Sequence, residues 1–140
     1  MKDLKYAVQA VILNSIGEVL AVSRKDNHED MGLPGGKVDP EDYGKPDPLK
    51  FAILREVKEE TGIDINIRTM TLVYSNHRDG YMGYTYLIHD WEGEFDYDEP
   101  HVVKWVPFNT VIGGSFGLWN RRVKESLTSM GVEFMINRDK

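Results

Sequence analysis

The segment Arg55-Glu56-Val57-Lys58-Glu59-Glu60 concentrates the charge that could do chemistry. On a helix turning about 100° per residue, Glu59 and Glu60 lie at about −60° and +40° from Glu56, so the three carboxylates share one face. Like charges at this spacing cost roughly 0.2–0.5 kcal/mol per pair, and the helix macrodipole disfavours anions in the C-terminal half where these sit. A divalent cation offsets that cost, and hard oxygen donors at this spacing suit magnesium while leaving coordination positions for phosphate and water. The other reading is a solvated acidic face paired with Lys58 and Arg55, and the six residues alone leave both open. Their context narrows the choice: Gly35-Gly36 precedes the helix, Thr61-Gly62-Ile63 closes it, and strands flank the unit.

The elements that position this face can be read from the pattern. Tyr6–Leu13 and Gly17–Ser23 are β-rich and predict a hairpin, and residues 24–48 predict a long loop interrupted by Leu33-Pro34-Gly35-Gly36. Asp47-Pro48 supplies an N-cap and a first-turn proline, and Leu49, Ala52, Ile53 and Val57 recur at helical spacing, which predicts a helix over 48–61. Ile63–Ile67, Met70–Ser75, Tyr81–Trp91 and Val102–Val106 follow as strands, with Asn76–Gly80 as a turn. Phe116, Trp119, Val123, Leu127 and Met130 mark one face of a final helix introduced by Ser115. Strands around one helix and ending in another predict an α/β sandwich.

Composition bounds the rest. A chain of 140 residues with 41% hydrophobic content predicts a single domain, residues 1–140. No apolar run is long enough for a membrane span, and Met1-Lys2-Asp3-Leu4-Lys5 lacks an apolar signal region, so a cytoplasmic protein without a membrane partner is expected. Zero cysteines exclude disulfides, thiolate metal sites and cysteine nucleophiles. A net charge of −6 argues against a nucleic-acid polymer as partner, although metal ions would still let an acidic protein hold a polyphosphate.

Leu33-Pro-Gly-Gly-Lys-Val-Asp39 and Arg55-Glu-Val-Lys-Glu-Glu-Thr-Gly-Ile63 together resemble the signature of the Nudix hydrolases, in their MutT-like branch. That signature runs glycine, five residues, glutamate, seven residues, then Arg-Glu, an aliphatic residue, any residue, Glu-Glu, any residue, Gly and an aliphatic residue. The second half matches without a gap. The middle departs: Asp47 stands where the first glutamate is expected, and Gly36 lies five residues too far away, which implies an insertion within Asp39–Pro46. Asp47, or Glu41 or Asp42 if the loop folds back, would fill the first acidic place. The insertion itself reads as a surface excursion that tolerates shortening.

The resemblance implies an α/β/α sandwich with a mixed β-sheet, a central helix bearing the signature and a C-terminal helix. It also implies metal ligands at the Gly36 carbonyl, Glu56, Glu59 and Glu60, with Arg55 bracing the glutamates, and magnesium (manganese as the substitute) as cofactor. Water would be the nucleophile, with Glu56 as first choice for general base and Glu99 as second. Glu99, six residues before Trp105 in an acid-dense loop, resembles the further metal-binding glutamate of MutT-type enzymes; a plain acidic loop is the competing reading. For substrate contacts, Arg24 could reach a phosphate or base, Asn120 is similar to the asparagine that MutT-type enzymes present to guanine, and Tyr81 could stack on a base. Each of these is equally readable as a surface or packing residue. The four histidines share no ligand spacing and read as surface or strand residues.

The expected activity is Mg-dependent cleavage of a nucleoside triphosphate to the monophosphate and pyrophosphate. Hydrolysis of a dinucleoside polyphosphate or ADP-ribose is the alternative, and a non-catalytic nucleotide-binding module the third reading. Retention of Glu56, Glu59 and Glu60 speaks against the third. The partner is a small nucleotide, and the protein is expected to be a monomer or homodimer.

Overall fold

A computed structural model describes residues 5–94 and 101–134. Four strands form the main sheet in the order β4-β1-β7-β6. Here β1 is Lys5–Ile12, β4 Gly35–Lys37, β6 Thr71–Arg78 and β7 Tyr81–Ile88. β1 runs parallel to β7 and antiparallel to β4, so the sheet is mixed. A second sheet joins β3 (Met31–Gly32), β2 (Val19–Ser23) and β9 (Val103–Val106), and β5 (Asp64–Ile65) pairs with β8 (Trp91–Glu92). Among the described residues, three α-helices complete the fold: α1 (Pro48–Thr61), α2 (Phe108–Ile112) and α3 (Gly117–Ser129).

Alternation along the strands assigns each sheet face to a helix. Val8, Ala10 and Ile12 of β1, with Tyr84, Tyr86 and Ile88 of β7, pack with Ala52, Ile53 and Val57 of α1. Val11 and Leu87 turn the other way and pack with Trp119, Val123 and Leu127 of α3. The result is the expected α/β/α layering with a mixed sheet. Full burial of a side chain such as Ile53 or Leu127 stabilises by about 1.5–3 kcal/mol. These contacts fix α1 against β1 and β4, which is where its acidic face must lie.

The ends of α1 fall where its capping residues put them. The Asp47 carboxylate accepts from the Lys50 N–H, Pro48 occupies the first turn, and Gly62 closes the helix in the left-handed conformation at φ 80°. The buried Thr61 hydroxyl donates to the Val57 carbonyl and accepts from the Ile63 N–H, tying that end to the next strand.

Several expectations are corrected. β1 and β2 do not form a hairpin; one isolated bridge, Leu13 to Val19, joins them before the chain enters the second sheet. The reason is that β4 and β7 already occupy both edges of β1. The loop over 24–48 contains β3, β4 and a 3-10 turn at Pro40–Gly44. The last helix begins at Gly117 rather than at Ser115, and Phe116 and Met130 are 44% and 50% exposed, off its buried stripe. Asn120 takes a place on that stripe instead.

Candidate functional site

The acidic face of α1 lies against β4. Gly35 pairs with Gln9, and Gly36 with Val8. A Cβ on Gly35 would fall 2.1 Å from the Val8 carbonyl oxygen, and one on Gly36 would fall 2.5 Å from the Glu56 carboxylate. Position 35 therefore needs glycine, because fixed backbone stands where a side chain would go, whereas a side chain at Gly36 would displace the Glu56 carboxylate from its place. The Gly35 N–H donates to Glu60 Oε1 at 2.9 Å. His101, expected at the surface or in a strand, is buried instead, and its Nε2 lies 2.8 Å from the Glu60 carbonyl oxygen.

Arg55 bridges the carboxylates. Its Nη1 donates to Glu56 and to Glu59, each at 3.3 Å. Its Nε and Nη2 grip the two oxygens of Asp42 at 3.3 and 2.8 Å, and Nη2 lies 3.3 Å from Asp39. Asp42 is 4% exposed and also accepts from the Asp39 N–H at 2.8 Å. The inserted segment is thus no free surface excursion, since it folds back through the 3-10 turn and delivers the partner of Arg55. Asp42 stands in the first acidic place, while Asp47 is spent on the cap of α1.

Electrostatics follow from this packing. Hydrogen bonding from Arg55 holds the Asp42 carboxyl below its ordinary value. Burial pushes Glu56 up despite Arg55 beside it. Burial, reinforced by Glu56 and Glu59, pushes Glu60 up to about 8 against the stabilising Gly35 N–H. The face therefore carries more carboxylate than its one arginine neutralises.

Magnesium suits this donor set. Glu56, Glu59, Glu60 and the main chain at Gly36 offer only hard oxygen, and the missing Cβ at Gly36 brings that main chain up to the Glu56 carboxylate. Among the described residues, no three acidic or histidine side chains already converge as a cage. Glu59 is 59% exposed and turned onto Arg55, so it must release that contact to join.

A cavity of about 380 Å³ opens beyond β4, lined by both glycines, Lys37, Tyr81, Phe116 and Trp119 among others. Its walls are mostly apolar and ring-sized. Tyr81 lines it, with Lys5 and Lys37 Nζ 5.9 and 5.3 Å from its ring. Arg24 reaches a second, polar opening that it shares with Glu60 and His101, but it is exposed and paired with Asp26 at 3.1 Å. Asn120 is fully buried; its Nδ2 donates to the Val111 carbonyl at 3.0 Å, and its Oδ1 has no partner among the described residues. It does not line the apolar cavity. Glu99 lies outside the described residues. Gln9, Lys37 and Asp42 are the neighbours of the site that sequence patterns did not single out as functional groups, Asp42 having been only one of three candidates for a single place.

Two measurements check this electrostatic arrangement. Asp42→Ala leaves Arg55 short of its best partner and should lower stability by about 1.5–3 kcal/mol in urea denaturation, where a loss of a few tenths would show the segment to be dispensable. The second is pH dependence in chelator. An acid whose folded pKa is raised binds a proton that the unfolded chain has released, so stability is greatest below its ordinary value and falls as pH climbs from about 4.5 to about 8. Thermal melts across that window should show the fall, and Glu60→Gln should flatten it; an identical slope in the variant contradicts the burial of that carboxylate.

Residues 3–127 match the model of the NUDIX domain. No curated protein matches the chain. Among solved structures, a MutT Nudix hydrolase from Burkholderia pseudomallei is 30% identical, with 77% of this chain and 86% of that one covered at a TM-score of 0.61. A MutT from work on Aliivibrio salmonicida and Vibrio cholerae is 22% identical, covering 91% of this chain and 99% of that one at 0.70, and shares the fold. An ADP compounds hydrolase at 18% identity covers 92% and 76% at 0.63, again a likeness of fold. With the signature helix, its glycine pair and its arginine in place, the chain belongs to the Nudix family, whose members are hydrolases of pyrophosphate bonds.

Proposed function

We propose that the protein is a magnesium-dependent, MutT-like nucleoside triphosphate pyrophosphohydrolase, releasing a nucleoside monophosphate and pyrophosphate. The observation that carries this reading is the shared glycine pair: the carboxylates of α1 and a ring-sized apolar cavity meet on Gly35 and Gly36. A nucleotide with its base in the cavity would lay its phosphates across β4 toward Glu56.

In this reading Glu56, Glu59, Glu60 and the Gly36 carbonyl hold the metal, with Glu99 as a further ligand. Bound magnesium would neutralise phosphoryl charge and lower the pKa of a coordinated water. Glu56, a carboxylate that burial shifts upward from its ordinary value, accepts the proton of the attacking water. The new bond joins the water oxygen to phosphorus, and the bridging P–O bond breaks toward the departing pyrophosphate. Arg55, fixed from behind by Asp42, sets the direction of the Glu56 carboxylate. Lys37, next to Gly36, supplies a mobile cation for the phosphates, and Tyr81 a ring for the base.

The test is a magnesium-dependent panel of nucleoside triphosphates, ADP-ribose and diadenosine polyphosphates with products identified. Triphosphates should yield monophosphate and pyrophosphate, and Glu56→Gln should lower kcat by about 100-fold or more with the fold retained. Release of inorganic phosphate instead, or cleavage confined to ADP-ribose or a dinucleoside polyphosphate, would overturn the triphosphate reading. Unchanged turnover in Glu56→Gln would remove it from the base position.

A further inference from the structure

On the sheet face turned toward α3, Ala7, Val11, Gly83 and Leu87 are apolar or bare, while Gln9 and Thr85 form a polar pair between them. Gln9 and Thr85 are direct partners across β1 and β7. Thr85 is fully buried, and the Trp119 Nε1–H donates to its Oγ1 at 2.9 Å. The Thr85 hydroxyl in turn donates to Gln9 Oε1 at 3.2 Å. Polarity runs one way along this relay. An indole N–H only donates, so it takes a lone pair of Thr85 and leaves the hydroxyl proton for the Gln9 carbonyl. The amide of Gln9 is thereby oriented, with its NH₂ end available as a donor on the cavity wall.

The relay is anchored at its far end. A Cβ on Gly83 would sit 2.8 Å from Trp119 Cη2, so the indole lies directly against the strand. Tyr74 meets the same indole edge-on at 4.8 Å between ring centres. A donor held this way in an apolar pocket discriminates strongly, because an occupant offering another donor leaves two groups unpaired.

The geometry points to Gln9 as a specificity-determining residue whose amide N–H binds the exocyclic oxygen at purine C6 or pyrimidine C4, selecting bases with a keto group there (guanine, uracil, thymine) over those with an amino group there (adenine, cytosine). This rests on the cavity being the nucleoside site. Gln9 suits that place, because its Cα partner on β4 is Gly35, whose N–H binds Glu60.

The deciding experiment measures equilibrium binding of GMP, AMP, UMP and CMP by calorimetry, which needs no hydrolysis and so stands apart from the triphosphate panel. GMP should bind about tenfold or more tightly than AMP, and UMP than CMP, with Gln9→Met erasing both ratios. Thr85→Val, which frees the amide to rotate, should shrink them. If Gln9→Met fails to fold, Gln9→Glu serves: it keeps the volume, replaces the donor by an acceptor, and should shift preference toward AMP and CMP. Equal affinities in the unaltered protein, or a keto preference that survives Gln9→Met or Gln9→Glu, overturns the assignment. A failed triphosphate panel with the binding ratios intact would instead remove only the proposed reaction.

Discussion

Close approach between the acidic face of α1 and the backbone of Gly35-Gly36 is the constraint on which the remaining structure depends. A side chain at Gly35 would collide with the Val8 carbonyl, and one at Gly36 would push the Glu56 carboxylate aside, so glycine at both places keeps this approach and this carboxylate position together. It draws Glu56 and Glu60 out of water, and burial in turn raises both carboxyls. The packing of Ala52, Ile53 and Val57 onto β1 holds the helix in that position, so core contacts impose the electrostatic cost at the site. A group of carboxylates kept together against their repulsion is poised to favour a cation over water.

Arg55 makes this tolerable without cancelling it. One guanidinium contacts Asp39, Asp42, Glu56 and Glu59, and its firmest contact is to Asp42, behind the site. Glu59, the most exposed of the four signature side chains, keeps a single long contact and remains free to change partners. The arrangement thus has a rigid half, Asp42 with Arg55, and an adaptable half, Glu59. Surface ion pairs of the latter kind contribute little to stability, which leaves that glutamate available for a ligand.

What could be read in the sequence was local or helical. Asp47-Pro48 and Gly62 fixed the ends of α1 because capping acts within one turn, and the spacing of Glu56, Glu59 and Glu60 placed them on one face. Features that depend on distant partners escaped. Counting back seven residues from Arg55 pointed to Asp47, whereas counting five residues on from Gly36 reaches Asp42, and only the fold chooses between them: a 3-10 turn at Pro40–Gly44 brings Asp42 back to Arg55, thirteen residues along the chain. Asn120 sits in a polar-looking helix start, but packing of α3 against Val111 of α2 buries it. Gln9, Thr85 and Trp119 are separated by 76 and 34 residues, and no periodicity links them. The supposed hairpin failed for the same reason, since sheet edges are allotted by the whole fold rather than by neighbouring strands.

The central claim is that this crowded face of α1, together with the Gly36 backbone, is a divalent-cation site. Paramagnetic broadening of backbone amide resonances on titration with manganese tests it most directly, because the effect falls steeply with distance from the ion. The amides of Gly35, Gly36 and residues 56–60 should be lost first, with Ile53 and Gly62 at either side affected next. Earlier loss at other carboxylates, such as Asp64 and Glu92 on the β5–β8 pair, with the signature helix and the glycine pair unchanged, would contradict it.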